Sequence, residues 1–375
     1  MQKNPTKTIL ITGAYGHVGS KIVKGLIEKT AFHVLATGRK KEKLEILKTM
    51  YPSDHLTTEV LDLGNKQELR QFAQKADMII NAVGPYSMGG IEIAKIALAC
   101  NTPYIDLANE QLHLNNLRKI KREINESGSM IFTCAGQSPG ISTLTMIHLA
   151  KMMEDCSTIE MYGVMGRLPT EDQSLGSMMS GVIEAALDST TYIDGKQLHE
   201  RLGTYITEHT IPPPFGTMKM ISCPLNDALL VPEAVECKSV RTLFGLQMDV
   251  PAYLFRIVAL LKPHKRKWVY HLLEKVMKKS IKDNYVMGLK EGFDPGGYMK
   301  VVVTGNKKIN ALIKVEDNSI MSSYMPIVIA LNYFEDPERF KGLLTPADIY
   351  SFDSFNKELE KLGWKISMDL QTESR

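Results

Sequence analysis

The chain has 375 residues, 44% of them apolar and 23% charged, which is the composition of a soluble globular protein too long for one compact core, so two domains are expected. A net charge of +3 gives no ground for a nucleic-acid partner. Five cysteines (Cys100, Cys134, Cys156, Cys223, Cys237) without C-x-x-C spacing speak against a zinc site or a disulfide framework and for reduced thiols in a cytoplasmic setting.

From the N-terminus, Met1 to Lys7 is polar and does not read as a signal peptide. Thr8 to Thr12 is a short apolar strand that runs into Gly13-Ala14-Tyr15-Gly16-His17-Val18-Gly19, and Val18 to Leu26 continues with helical period. Strand, three glycines at three-residue spacing and helix form the start of a dinucleotide-binding βαβ unit. The glycines let the backbone turn and approach a diphosphate, and the helix start faces its charge. Gly13, Tyr15, Gly16, His17, Val18 and Gly19 are the candidate diphosphate contacts. A second strand, His33 to Thr37, ends in Gly38-Arg39-Lys40-Lys41. A chain that binds NAD places an acid there for the ribose 2′-OH; Arg39 and Lys40 instead suit a 2′-phosphate, so NADP (NADPH) is the expected cofactor. The alternative is a basic helix start with no ligand.

The third strand, Thr58 to Leu61, leads to Asp62, which reads either as an adenine contact or as the N-cap of the helix near Lys66. Met78 to Asn81 is an apolar run suited to a central parallel strand, and it stops at Ala82-Val83-Gly84-Pro85-Tyr86. Ligands in open α/β sheets lie beyond the carboxyl ends of strands, so Ala82, Val83, Gly84 and Tyr86 are candidates to flank the nicotinamide. A helix from Gly90 to Cys100, a strand from Tyr104 to Leu107, a helix from Gln111 to Glu126 and a strand from Met130 to Thr133 complete a doubly wound α/β sheet. The exit loop, Cys134 to Gly140, contributes Pro139 as a further cofactor candidate.

Regular alternation then stops. Strand candidates at Ile159 to Val164, Tyr192 to Ile193, Val235 to Leu243, Tyr298 to Thr304 and Lys308 to Val315 predict a mixed α+β substrate domain, with a hairpin turning at Gly305-Asn306. Helices at Ser322 to Phe334 and Ser354 to Leu362 end the chain. The expected domains are 1–135, 136–335 and a C-terminal helical segment, 336–375, packing back on the first.

The segments Gly13 to Gly19, Asn81 to Tyr86, Tyr104 to Glu110 and Gly136 to Gly140 together resemble those of the saccharopine dehydrogenase-like oxidoreductases. Ser174 to Gly181 and Gly342 to Ala347 are similar to the branch that includes the trans-acting enoyl reductases. The resemblance implies a Rossmann domain, a substrate domain, and NAD(P)-linked reduction of a C=N, C=O or C=C bond in the cleft between them. Ala108-Asn109-Glu110 departs from the family's small residue and glycine before the glutamate.

Hydride transfer asks the protein to hold the nicotinamide against its acceptor and to supply a proton or stabilise charge. By position at strand ends, Tyr86, Asp106, Glu110 and Cys134 qualify, with Tyr86 and Asp106 the catalytic candidates; Asp106 also reads as a helix cap, and Cys134 as a small buried residue. Tyr192-x-x-x-Lys196 imitates a short-chain reductase pair, but Asp194-Gly195 signals a turn where that pair needs a helix. His264 and His271 suggest no metal site. The stretch from Leu254 to Lys282 mixes apolar residues with lysines and reads either as core plus solvated face or as a peripheral membrane contact; no apolar run reaches the ~18 residues of a membrane span. The partners expected are a small-molecule substrate, an amino-acid-derived imine or something lipid-like, and a second copy in a homodimer. Arg167, Arg201, Arg241 and Arg256 are the arginines at hand for a carboxylate substrate. A non-catalytic, membrane- or lipid-associated NADP-binding adaptor is the alternative.

Overall fold

A computed structural model describes residues 7–164, 189–245 apart from 202 and 214, and 296–374, together with 257, 260, 261, 266–276 and 279. The first domain alternates β1 (Thr8–Thr12), α1 (His17–Lys29), β2 (His33–Gly38), α2 (Lys41–Met50), β3 (Leu56–Val60), α3 (Lys66–Lys75), β4 (Met78–Asn81), α4 (Gly90–Ala99), β5 (Tyr104–Asp106), α5 (Gln111–Lys119), α6 (Lys121–Ser127) and β6 (Met130–Phe132). Its strands are all parallel, in the order β3-β2-β1-β4-β5-β6. Strand order reverses between β1 and β4, which makes that junction the topological switch point where ligands lie in such sheets. Alternate residues feed two cores: Ile9 and Ile11 join one cluster and Leu10 the other, all fully buried. That burial on both faces is why these strands read as unbroken apolar runs.

From this sheet α7 (Ile141–Lys151) leads to β7 (Cys156–Val164), β8 (Thr190–Ile193), β9 (Lys196–His199), β10 (Ile206–Ile211), β11 (Gly216–Ser222), α8 (Asp227–Ala234), β12 (Ser239–Gly245), β13 (Gly297–Gly305) and β14 (Lys307–Val315). Then follow α9 (Asn318–Glu335), β15 (Gly342–Leu344), α10 (Pro346–Ile349), α11 (Phe352–Lys361) and β16 (Asp369–Ser374). The second sheet runs β10-β11-β12-β7-β13-β14-β16, with β8 and β9 attached beside β12. It is mixed: β7 and β12 are parallel and their other neighbours antiparallel. The fold is therefore α/β, a doubly wound parallel sheet followed by a mixed-sheet domain.

Several sequence expectations change. The stretch 336–375 is not helical alone, because β15 pairs in parallel with β6 and β16 pairs with β14, so the chain's end adds a strand to each sheet. The helix expected from Gln111 to Glu126 breaks at Ile120, giving α5 and α6. The strand expected from Val235 begins at Ser239, because the Val235 N–H still closes α8 on the Val231 carbonyl. Tyr192 and Lys196 lie on opposite arms of a hairpin whose turn residues, Asp194 and Gly195, have φ of 49° and 75°. They share no helix face.

The two sheets are tied closely. A Cβ on Gly25 of α1 would lie 2.5 Å from Ile327 Cδ1 of α9, so a larger residue there would force the Ile327 side chain to move. The larger core cluster runs through both domains, from Ile9 to Met299 and Val301.

Candidate nicotinamide-dinucleotide site

The carboxyl ends of β1, β2, β4 and β5 form the floor of the site. At Gly13, φ is 71°, and a Cβ there would meet Val83 Cγ2 at 2.7 Å and the Ala82 carbonyl at 3.0 Å. The first glycine thus serves a left-handed turn packed against the loop after β4. A Cβ on Gly19 would fall 2.2 Å from the Gly13 carbonyl, so the third glycine lets α1 sit close to the end of β1. Gly16 precedes α1 and, having no side chain, offers that helix no cap of its own, and the first turn holds no acid. Uncapped N–H groups and the positive end of the dipole there suit a diphosphate. The residues present fit the cofactor.

On the β2 side, Arg39 and Lys40 are exposed. The Tyr15 ring packs where a Cβ on Gly38 would be, 2.3 Å from Cε1, and the Lys43 ammonium lies 5.8 Å from its centroid. Tyr15 therefore spans the glycine loop and the cationic start of α2. Asp62, exposed at the end of β3, does not cap α3. Asn65 does, accepting from the Glu68 N–H at 3.2 Å, while Asp62 Oδ1 accepts from the Gly64 N–H at 3.0 Å.

On the β4 side a buried polar network replaces open donors. Asn81 Oδ1 accepts from the Thr12 hydroxyl at 2.7 Å and the Val83 N–H at 3.1 Å, and Asn81 Nδ2 donates to the Tyr104 hydroxyl at 2.9 Å. The Tyr86 hydroxyl donates to the Asn81 carbonyl at 3.0 Å, and the Tyr86 N–H donates to Glu110 Oε1 at 2.7 Å. Asp106 does not cap α5. Its Oδ1 accepts from the Ala108 N–H at 3.1 Å and the Thr133 hydroxyl at 2.6 Å, and its Oδ2 meets His113 Nε2 at 2.8 Å, with both side chains wholly buried. Burial pushes Asp106 up, but the His113 charge and hydrogen bond, with those from Thr133 and Ala108, hold its carboxyl below the usual range. Burial pushes His113 down, yet Asp106, then Glu110, leave it above the usual histidine value. For Tyr86, burial and then the Asp106 and Glu110 charges push the phenol far up. At neutral pH Asp106 has no proton to give, and Tyr86 commits its own to Asn81. Cys134 is buried with its thiol pushed up by burial and by Asp106, and its Sγ accepts from Asn226 Nδ2 at 3.2 Å. It has the character of an inert thiol.

Pro139 is buried in the exit loop and its carbonyl accepts from the Gly136 N–H at 3.2 Å. Beside it, Asp227 of α8 accepts from the hydroxyls of Ser138, Ser142 and Thr143 at 3.3, 2.8 and 2.6 Å. The preceding Asn226 donates to the Ala108 carbonyl at 3.2 Å. His113, Gln111, Asn226 and Asp227 escaped the sequence reading. Asp106, Glu110 and His113 fall at a strand end within eight residues, a spacing that would have flagged the first of these, whereas nothing local marks Asn226 and Asp227. Arg241 lies 3.6 Å from Glu200 and stacks 4.1 Å over the Tyr205 ring, so its charge is already matched. Arg167, Arg256, His264 and the segment 174–181 lie outside the described residues.

Residues 9–132 match the model of the saccharopine dehydrogenase NADP binding domain. That match covers the first domain, about a third of the chain. Its fold is that of apo histidine-tagged saccharopine dehydrogenase (L-Glu forming) from Saccharomyces cerevisiae, with a TM-score of 0.64 and 16% identity over 97% of this chain and all of that one. A curated relative, the lipid droplet localized protein of Caenorhabditis elegans, is 27% identical over 138 residues, 34% of this chain. The match spans about a third, 32%, of that relative's length. The chain thus shares the saccharopine dehydrogenase fold, and its first domain matches that family's NADP binding domain. No helix among the described residues is long and apolar enough to cross a membrane.

Proposed function

We propose that this saccharopine dehydrogenase-like chain is an NADPH-dependent reductase that acts on a C=N, C=O or C=C bond of a small molecule between the carboxyl edge of the first sheet and the second domain. The observation that carries the reading is the uncapped start of α1 behind three glycines, with Arg39 and Lys40 exposed one strand away. Bound NADPH supplies the hydride. The chain does the holding: Gly13, Tyr15, Gly16, His17, Val18 and Gly19 surround the diphosphate, Arg39 and Lys40 pair with the 2′-phosphate, and Asp62 borders the adenine. Ala82, Val83, Gly84, Tyr86 and Pro139 border the nicotinamide. Asp106 is neutralised by His113 and holds that ring in place, and Tyr86 gives a proton only if its bond to the Asn81 carbonyl breaks when ligand binds. Residues 1–135 bind cofactor and 136–335 bind substrate in this reading, with 336–375 joining the two sheets.

The experiment is transfer of deuterium from NADPH labelled at C4 to a panel of imino acids, ketones and enoyl thioesters, read by mass spectrometry. Label in the reduced product of one class is expected. NADPH binding without transfer to any class favours the second reading, a non-catalytic NADP-binding protein at a lipid surface. That reading draws on the helical residues 267–276, where Trp268, Leu272 and Val276 are 63%, 52% and 57% exposed at four-residue spacing beside Lys275 and Lys279. It draws also on the name of the C. elegans relative. Its mark is flotation with anionic liposomes, lost when Trp268 becomes Ala and Lys275 and Lys279 become Glu.

A further inference from the structure

The loop from Ala82 to Gly89 lies between the diphosphate seat and α4, and two unlike contacts hold it. At its start, Val83 and Ala82 press on Gly13. From Tyr86 onward it rests on the start of α5. Glu110, wholly buried, accepts from the Tyr86 N–H at 2.7 Å on one oxygen and from the Asn109 N–H at 3.2 Å on the other. His113 fills the space behind: its ring centroid lies 5.7 Å from that of Tyr86, and a Cβ on Gly90 would come within 2.7 Å of its Cε1. His113 is itself fixed by Asp106.

A buried carboxylate is costly unless its oxygens are satisfied and its charge matched. These two bonds come from backbone N–H groups, so through them Glu110 acts on where the chain runs. A bond from a backbone N–H to a carboxylate is also stronger and shorter than a neutral one. The geometry points to Glu110 as the positioning residue for the nicotinamide half of the cofactor, with His113 and Asp106 holding it from behind. This rests on the cofactor reading above and adds to it a division of labour. The adenosine half is seated by Arg39, Lys40 and the glycine loop, whereas the nicotinamide half depends on a loop whose far end Glu110 fixes.

The test compares NADPH with adenosine 2′,5′-bisphosphate, which carries the 2′-phosphate and lacks the nicotinamide, by calorimetric titration of wild type, Glu110→Ala and Glu110→Gln. Glu110→Ala is expected to weaken NADPH about tenfold or more and to leave the bisphosphate unchanged, which also shows that the variant is folded. Glu110→Gln keeps an acceptor for the Tyr86 N–H and is expected to recover most of the NADPH affinity. Equal weakening of both ligands in the two variants, or no weakening of NADPH in Glu110→Ala, overturns the assignment. Wild-type protein that binds neither ligand defeats the cofactor reading itself, a separate outcome.

Discussion

Asp106 and His113 are a charged pair with no access to water, and their titration gives stability a definite pH window. His113 sits above the ordinary value of 6.5, so its contribution is complete below that pH and is lost as pH rises through its folded value. Asp106 sits below the ordinary 3.8, so its contribution is complete above that pH and is lost as pH falls through its folded value. The pair therefore stabilises most between about 4 and 6.5. Removing one partner leaves the other charge buried and alone, which costs roughly 3–5 kcal/mol. In Asp106→Asn, denaturant titrations across the pH range should show a loss of that order near pH 6 and a smaller one at alkaline pH, where wild type has itself lost the contribution. A loss independent of pH would mean that His113 is neutral throughout. At this scale the sequence is readable where a residue's role is local. The glycines, Arg39 and Lys40 announce themselves by spacing, because a backbone turn and a strand end determine what they can do. Asp106 and Tyr86 are candidates by position alone, and among their partners His113, seven residues after Asp106, falls near enough in sequence to be flagged.

Among the elements, α5 joins the two halves of the molecule. Gln111 Nε2 donates to the Thr190 and Leu225 carbonyls at 2.7 and 3.0 Å, and its Oε1 accepts from the Thr190 N–H at 2.8 Å and hydroxyl at 3.2 Å. Two turns on, both oxygens of Glu233 accept from Arg118 Nη2 at 2.8 Å. Glu110 and Gln111 are adjacent, so the residue that accepts from the Tyr86 N–H neighbours the one that holds β8. Gln111→Ala would strip partners from buried backbone groups, each worth about 1–3 kcal/mol. The expected result is a lowered melting temperature together with faster amide exchange across β8 and β9. Unchanged exchange there would show that β8 is held elsewhere. Apolar runs made β1, β4, β7, β13 and β14 legible from sequence. By contrast, β9 is exposed throughout and β10 alternates exposed and half-covered residues, so neither offers an apolar run. The helix α9 was read four residues short because its start depends on Asp317, whose Oδ1 accepts from the Ser319 and Ile320 N–H groups at 2.7 and 3.2 Å.

Over the whole molecule, the distant returns of the chain were the least legible feature. A three-residue strand such as β15 has no periodicity to detect, and its place beside β6 comes from tertiary packing, with Asn125 Oδ1 accepting from the Leu343 N–H at 3.1 Å. Its insertion completes the first sheet with chain that has already passed through the second, so the cofactor edge and the second sheet are parts of one interlocked body. The most direct measurement of the proposed cofactor site is calorimetric titration of NADPH and NADH into wild type and Arg39→Ala. The account predicts that NADPH binds wild type more tightly than NADH and that Arg39→Ala abolishes the difference by weakening NADPH alone. Equal affinity for the two nucleotides in wild type would contradict the 2′-phosphate assignment, and heat from neither would contradict the cofactor site.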